Sequence, residues 1–274
     1  MAKLLSMLRK SRQGPQPQVE PFDTYEHRSP ELQTMIDAVP GWNTAFPADM
    51  NLRAGEHHLF EDGRIAWLLE RCGHLDEKQV LEIGPLDGAH TTMLHRAGAR
   101  ILAIEAKRQS FLRCLVTRQI MNLDKATFMV GDAVQWLERE PARFDLIVAC
   151  GVLYHMIDPL RFLRAVASRT DHLYLWTHFV EESRIPPDHE AAHGFASTRE
   201  TRPFEGEAMT LYRRSYAGVD RRVDFCGGIY DEPRWMARQS ILDCLRLLGF
   251  TNIEIAHEDE MRPHEPSFSI YAAR

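Results

Sequence analysis

Glu82, Gly84, Asp87 and Gly88 stand together in Val80-Leu81-Glu82-Ile83-Gly84-Pro85-Leu86-Asp87-Gly88-Ala89-His90-Thr91, where an apolar run ends in glycine. Two more acids, Glu105 and Asp132, end the next two apolar runs, the second within Gly131-Asp132-Ala133. A glycine turn lets a ligand approach the backbone, and carboxylates accept hydrogen bonds from hydroxyls and amines or pair with a cation. Phosphate fits this set poorly. The dinucleotide fingerprint needs a second glycine two positions after the first, and Leu86 stands there. Asp87 would put negative charge at the helix N-terminus where phosphate binds, and no Gly-Lys-Ser/Thr follows to make a Walker loop. Further on, Cys150, Tyr154 and His155 follow a fourth apolar run. Histidine is a base suited to neutral pH, and an ordinary pKa near ~6.5 predicts a rate that falls as pH drops through it.

The pattern around these residues predicts the elements that carry them. Ile65, Leu68, Leu69 and Cys72 repeat at helical spacing over 59–72, and Gly73 stops that helix. Short apolar strands are predicted at 79–84, 100–106, 126–132, 144–151 and 172–179. Helices are predicted between them at 87–97, at 108–121 and after Asp158, which can cap a helix with Pro159 at its first position. Strands alternating with helices imply a parallel sheet covered on both faces. The last helix is predicted at 235–248, and strands in Asn252-Ile253-Glu254-Ile255 and Ser267-Phe268-Ser269-Ile270 close the chain.

The predicted organisation has four parts: an N-terminal extension and cap (1–58), an α/β core (59–179), an insertion (180–231) and the C-terminal part of the core (232–274). The insertion is rich in Arg, Glu, Gly and Pro and carries Phe195, Phe204, Tyr212, Tyr216, Phe225 and Tyr230. A stretch this long between elements reads as a lid over the sheet's C-terminal edge. Residues 1–12 hold Lys3, Arg9, Lys10 and Arg12 and no acid, which allows a basic amphipathic helix, although a frayed start is the simpler reading.

Strand ends bearing Glu82, Asp87, Glu105 and Asp132 suit a cationic ligand without phosphates. S-adenosylmethionine, with its sulfonium and ammonium, fits. Glu105 lies at the distance from Gly84 where an acid holds ribose hydroxyls, and Asp132 could accept from an adenine amino group.

On these residues, and on Phe144-Asp145-Leu146-Ile147-Val148, the chain resembles the class I S-adenosylmethionine-dependent methyltransferases over 79–179 and 232–274. The resemblance implies a doubly wound, Rossmann-like seven-stranded sheet whose last strand is antiparallel. It implies cofactor contacts from Glu82, Gly84, Gly88, Glu105, Ala106, Gly131, Asp132, Ala133 and Cys150, with His155 and Tyr154 at the acceptor. Gly151-Val152-Leu153-Tyr154-His155 followed by Asp158-Pro159-Leu160 also looks like the tRNA wobble-uridine carboxymethyltransferase, which uses carboxy-S-adenosylmethionine. That family holds the donor carboxylate with a lysine ahead of the core, and residues 13–77 contain none.

The expected function is methylation of oxygen or nitrogen on a small molecule or on a glycan or natural-product intermediate. Carboxymethyl transfer to tRNA and a cofactor-binding, non-catalytic partner protein are the alternatives. A net charge of −6 argues against nucleic acid as the main ligand. The five cysteines are scattered without a C-x-x-C pair, which suits a reducing, cytoplasmic setting. No apolar run reaches the ~18 residues of a membrane span. His178, His189 and His193 with Asp188 and Glu190 offer metal-ligand types without a metal-site spacing, so no metal is expected. His57 and His58 are further candidates for lining the pocket.

Overall fold

The computed structural model describes residues 25–184, 197–216, 227–259 and 266–274. In chain order the elements are α1 (Leu32–Asp37), α2 (Gly63–Cys72), β1 (Gln79–Ile83), α3 (Ala89–Arg96), β2 (Arg100–Glu105), α4 (Arg108–Ile120), β3 (Ala126–Val130), α5 (Ala133–Arg139), β4 (Leu146–Cys150), α6 (Pro159–Ala167) and β5 (His172–His178). They continue with β6 (Arg199–Phe204), β7 (Glu207–Arg213), β8 (Arg234–Met236), α7 (Arg238–Leu247), β9 (Asn252–Asp259) and β10 (Ser267–Ala273).

The main sheet has seven strands in the order β3-β2-β1-β4-β5-β10-β9. β1 to β5 run parallel, and β10 lies antiparallel to both of its neighbours, as expected from the sequence. Strand order reverses at β1, which pairs with β2 on one side and β4 on the other. In an open α/β sheet the crevice above such a reversal is where ligands bind. Side chains of β1 alternate between two cores. Leu81 and Ile83 pack toward α5, α6 and α7, and Val80 packs toward α2, α3 and α4. Asp158 caps α6 as its spacing predicts, accepting from Arg161 N–H, with Pro159 opening the helix.

The described residues of 180–231 form more regular structure than the sequence pattern predicts. β6 and β7 form an antiparallel hairpin closed by Glu205-Gly206, both at positive φ, and β8 completes a second, three-stranded sheet. Phe204, Met209, Leu211 and Met236 are buried in the same core as α6 and α7. β6 offered little apolar signal because Arg199, Thr201 and Pro203 face solvent, and β7 supplies most of the buried face. Phe195, Phe225, His189, His193, Asp188, Glu190, Cys226 and residues 1–12 lie outside the described residues.

Before the core, Ile36, Phe46 and Phe60 pack with Ala89 of α3 and Val116 of α4, so the N-terminal segment covers the rim of the sheet beside β1. Among the described residues no helix is long and apolar enough to cross a membrane.

Candidate active site

A cavity opens over the C-terminal ends of β1, β2, β3 and β4. Of the residues anticipated from sequence, Gly84, Glu105, Ala106, Gly131, Asp132, Ala133, Cys150, Tyr154 and His155 all line it. Glu82 and Gly88 do not. The Glu82 side chain is buried, accepts from the Thr91 hydroxyl, and has its pKa raised by burial to about 7. Gly88 caps α3 at φ 84 and lies against α4, where an added Cβ would stand 3.2 Å from Thr117 Cγ2. It permits close helix packing rather than ligand approach.

Asp87 is likewise absent from the lining. Its carboxylate accepts from the Arg113 guanidinium and from the backbone N–H groups of Asn43 and Thr44, at 2.7 and 2.9 Å. Asp87 therefore anchors the N-terminal segment and is not part of an acidic rim. The anticipated histidines His57 and His58 are exposed, and Leu59 lines the cavity in their place.

At the end of β2, Glu105 is held by its own turn. Its carboxylate accepts from Lys107 N–H at 2.8 Å and Leu86 N–H at 3.1 Å. Burial raises its pKa. Leu86 stands where a dinucleotide site has glycine and adopts φ 57, a backbone region costly for a bulky side chain. The bond to Glu105 helps to hold it there. Gly84 is required beside it, because a Cβ would lie 2.8 Å from Val152 Cγ2. Asp132 caps α5, accepting from Val134 and Gln135 N–H.

The other end of the cavity carries positive charge that sequence reasoning missed. Arg64, His90, Cys150 and Trp176 all line it. Asp62 caps α2 and grips both cations: it pairs with Arg64 and lies 2.9 Å from His90 Nε2. The Arg64 guanidinium lies 4.3 Å above the Trp176 ring. Burial alone would depress the His90 pKa, but the neighbouring Cys150 sulfur and the Asp62 carboxylate push it up to about 10. The Asp62 carboxylate at 2.9 Å thus favours the protonated His90 ring. The signal was present, since His90 sits inside the glycine motif and Arg64 lies within the first predicted helix. The lysine search across 13–77 passed over an arginine.

Beyond Cys150 the wall is aromatic. Tyr154 packs against His155 with ring centroids 4.1 Å apart and against His178 at 4.7 Å, and His178 stacks on Trp235 at 5.1 Å. Burial, reinforced by His178, pushes the His155 pKa down to about 3, so His155 is neutral across the physiological range. This corrects the expected titration near 6.5. The His155 Nδ1 is hydrogen-bonded to the Tyr216 hydroxyl. Gly228 closes over His155, with Gly227 and Ile229 also lining the cavity. Among the described residues no group of three His, Cys, Asp or Glu side chains could hold a metal ion.

The sheet, its glycine turn and this cavity describe one class of protein. The sequence family described as a methyltransferase domain matches residues 81–169. Those residues carry a methyltransferase domain, set within the seven-stranded Rossmann-like sheet. It is 25% identical to the ubiquinone biosynthesis O-methyltransferase of Pseudoalteromonas translucida (strain TAC 125) over 113 residues, 40% of this chain and 46% of that one. It is 29% identical to the ribosomal RNA small subunit methyltransferase A of Erythrobacter litoralis (strain HTCC2594) over 173 residues, 62% of this chain and 58% of the other. The chain thus spans about half the length of the curated relatives it matches. Among solved structures, the N-terminal domain of EvdMO1 with SAH bound superposes with a TM-score of 0.66 at 22% identity, covering 89% of this chain and 95% of that one. The 1,6-didemethyltoxoflavin-N1-methyltransferase of Burkholderia thailandensis gives 0.52 at 12% identity, covering 80% and 79%.

Proposed function

We propose that the chain methylates a hydroxyl of an uncharged small molecule, a glycan or natural-product intermediate, with His155 as the base. The observation that carries this reading is the division of charge along one cavity. Arg64 and protonated His90 stand at one end, Glu105 and Asp132 at another, and the neutral aromatic wall of Tyr154, His155 and Trp176 faces the remainder.

The donor set fits S-adenosylmethionine. Arg64 and His90 together carry two positive charges against the single charge of Asp62, which leaves one for a carboxylate. Glu105 is placed to accept from ribose hydroxyls, and Asp132 and Gly131 flank the adenine position. When bound, S-adenosylmethionine supplies a methyl carbon on a sulfonium, activated for in-line displacement. The residues of this chain hold the acceptor and remove its proton. In the tautomer whose Nδ1–H donates to the Tyr216 oxygen, the ring keeps the lone pair on Nε2 for an acceptor hydroxyl. Desolvation of His155 keeps that lone pair free well below pH 6 and lowers its basicity, so proton removal must accompany methyl transfer.

The same count of charges bears on the donor. Carboxy-S-adenosylmethionine carries a second carboxylate, and burying it unpaired would be costly. Competition titration should therefore favour S-adenosylmethionine, and a preference for the carboxylated analogue would move the reading to carboxymethyl transfer to tRNA.

Two likenesses guide the choice of acceptor. The similar ubiquinone-pathway enzyme is named an O-methyltransferase, and EvdMO1 has been crystallised in the presence of SAH and D-fucose. Methyl-labelled S-adenosylmethionine should be assayed first with D-fucose and related neutral sugars, then with phenols. Label recovered on an acceptor oxygen supports the proposal. Tight SAH binding without label on any acceptor, in purified panels or cell extract, would favour the non-catalytic partner reading.

A further inference from the structure

Asp62 does not line the cavity, yet two of the side chains that do are attached to it. As the cap of α2 it accepts from Arg64 N–H at 2.9 Å. Its carboxylate also accepts from the Arg64 guanidinium, from Nε at 2.9 and 3.0 Å and from Nη2 at 2.5 Å. The oxygen that takes Nη2 lies 2.9 Å from His90 Nε2, in the first turn of α3. One carboxylate thus fixes a guanidinium from α2 and an imidazole from α3 side by side. The Asp62 side chain is only 7% exposed, so water does little to weaken either bond. Trp176 completes the arrangement from β5, with the Arg64 guanidinium 4.3 Å above its ring.

The chemistry of the ring makes Asp62 more than a tether. Neutral His90 donating to Asp62 through Nε2–H leaves a lone pair on Nδ1, which repels an anion. Protonated His90 donates from both nitrogens and attracts one. A carboxylate at hydrogen-bond distance favours the protonated form. Three other groups face the ring. Arg64 on α2 disfavours a second cation beside it, the Cys150 thiol ends β4, and the Glu82 carboxyl of β1 is engaged by the Thr91 hydroxyl.

We propose that Asp62 is the positioning residue of the donor's carboxylate subsite: it holds Arg64 and His90 together toward that carboxylate and keeps the pair in its anion-binding form across neutral pH. The inference rests on the cofactor reading above and adds to it the residue on which the carboxylate end depends. Without the Asp62 charge, the Arg64 fork is released from its cap and His90 returns toward an ordinary imidazole, which titrates near ~6.5.

The experiment titrates the full chain calorimetrically with SAH and with methylthioadenosine, which keeps the adenine, ribose and sulfur but lacks the amino-acid end. In the unaltered chain SAH affinity should change less than about twofold between pH 6 and 8. Asp62→Asn can still cap α2. In this variant SAH affinity at pH 8 should fall about tenfold, and it should recover severalfold at pH 6 as the freed His90 takes up its proton. Methylthioadenosine should bind both chains alike at either pH. A flat SAH profile in Asp62→Asn would overturn the proposal, and equal loss of both ligands would mean that Asp62 only supports the fold. Imidazole NMR of the unaltered chain gives an answer even if the variant folds poorly. The His90 signal, assigned by its loss in His90→Gln, should remain that of the protonated ring through pH 8, and titration near 6.5 would refute the hold of Asp62 on it. Failure of the unaltered chain to bind SAH would instead sink the cofactor reading, while the His90 titration would still report on Asp62.

Discussion

The Asp87 carboxylate and the Arg113 guanidinium form an ion pair with neither side chain exposed to solvent. Both are also tied to the N-terminal segment, Asp87 through Asn43 and Thr44 N–H and Arg113 through the Pro40 carbonyl. The pair therefore joins the loop after β1 to residues 40–44, one of which, Thr44, lines the cavity. Removing one member of a buried pair leaves an uncompensated charge. Arg113→Met should destabilise the fold by about 3–5 kcal/mol. Urea denaturation should show this as a fall in midpoint, and a change under ~1 kcal/mol would mean that water relieves Asp87.

Much of the architecture was legible because parallel α/β structure writes a local pattern. Each central strand is a short apolar run, and Gly84, Glu105 and Gly131-Asp132 fall at the strand ends facing the crevice. What was not legible came from distant segments. Asp62, a helix cap, holds Arg64 two residues on and also His90, 28 residues on, and nothing in either motif announces the second pairing. Trp176 reads as one apolar strand residue among several until Arg64 is found above it. Asp87 read as an acidic rim residue because nothing in its motif announces Arg113. The β6–β7 hairpin was missed because only one of its strands shows a clear apolar face.

Glu105 offers a direct test of the proposed cofactor site. Its carboxylate holds Leu86 N–H and Lys107 N–H and still lines the cavity. Hydrogen bonds to a charged group contribute roughly 1.5–3 kcal/mol. Glu105→Ala should weaken SAH binding on the order of tenfold or more. Because Leu86 at φ 57 loses a partner as well, a modest drop in melting temperature should accompany it. Calorimetry that finds undiminished affinity would remove Glu105 from the site.

Gly228 tests the acceptor end. A Cβ at this position would sit 2.4 Å from the His155 carbonyl oxygen, and backbone cannot yield as a flexible side chain can. Gly228→Ala should therefore push the 227–229 segment away from His155. Turnover should fall severalfold or more while SAH affinity, set largely at the Arg64 and Glu105 ends, changes little. If turnover and acceptor KM both match those of the unaltered chain, the segment does not shape the acceptor site.

His155 carries the last prediction, in which pH acts oppositely on two histidines. His155 has its pKa pushed down to about 3 by burial and by His178, against an ordinary value near 6.5. Its neutral form is favoured in the fold. Below pH 6.5 the unfolded chain takes up a proton that folded His155 refuses, so stability falls as pH drops from 6.5 toward 3. His90 is pushed up to about 10, so its contribution is full below pH 6.5 and fades as pH rises from there through about 10. Melting temperatures should therefore separate the two. His155→Gln should flatten the acid limb between pH 6.5 and 4, and His90→Gln should flatten the alkaline limb between pH 7 and 10. Turnover should show no inflection near 6.5 from His155. A base nevertheless contributes about 10²–10⁴-fold, so His155→Gln should lower turnover by such a factor with SAH affinity nearly intact. An inflection near 6.5 that disappears in this variant would mean that His155 is solvated in the working enzyme, contrary to the partly buried, Tyr216-bonded ring seen here.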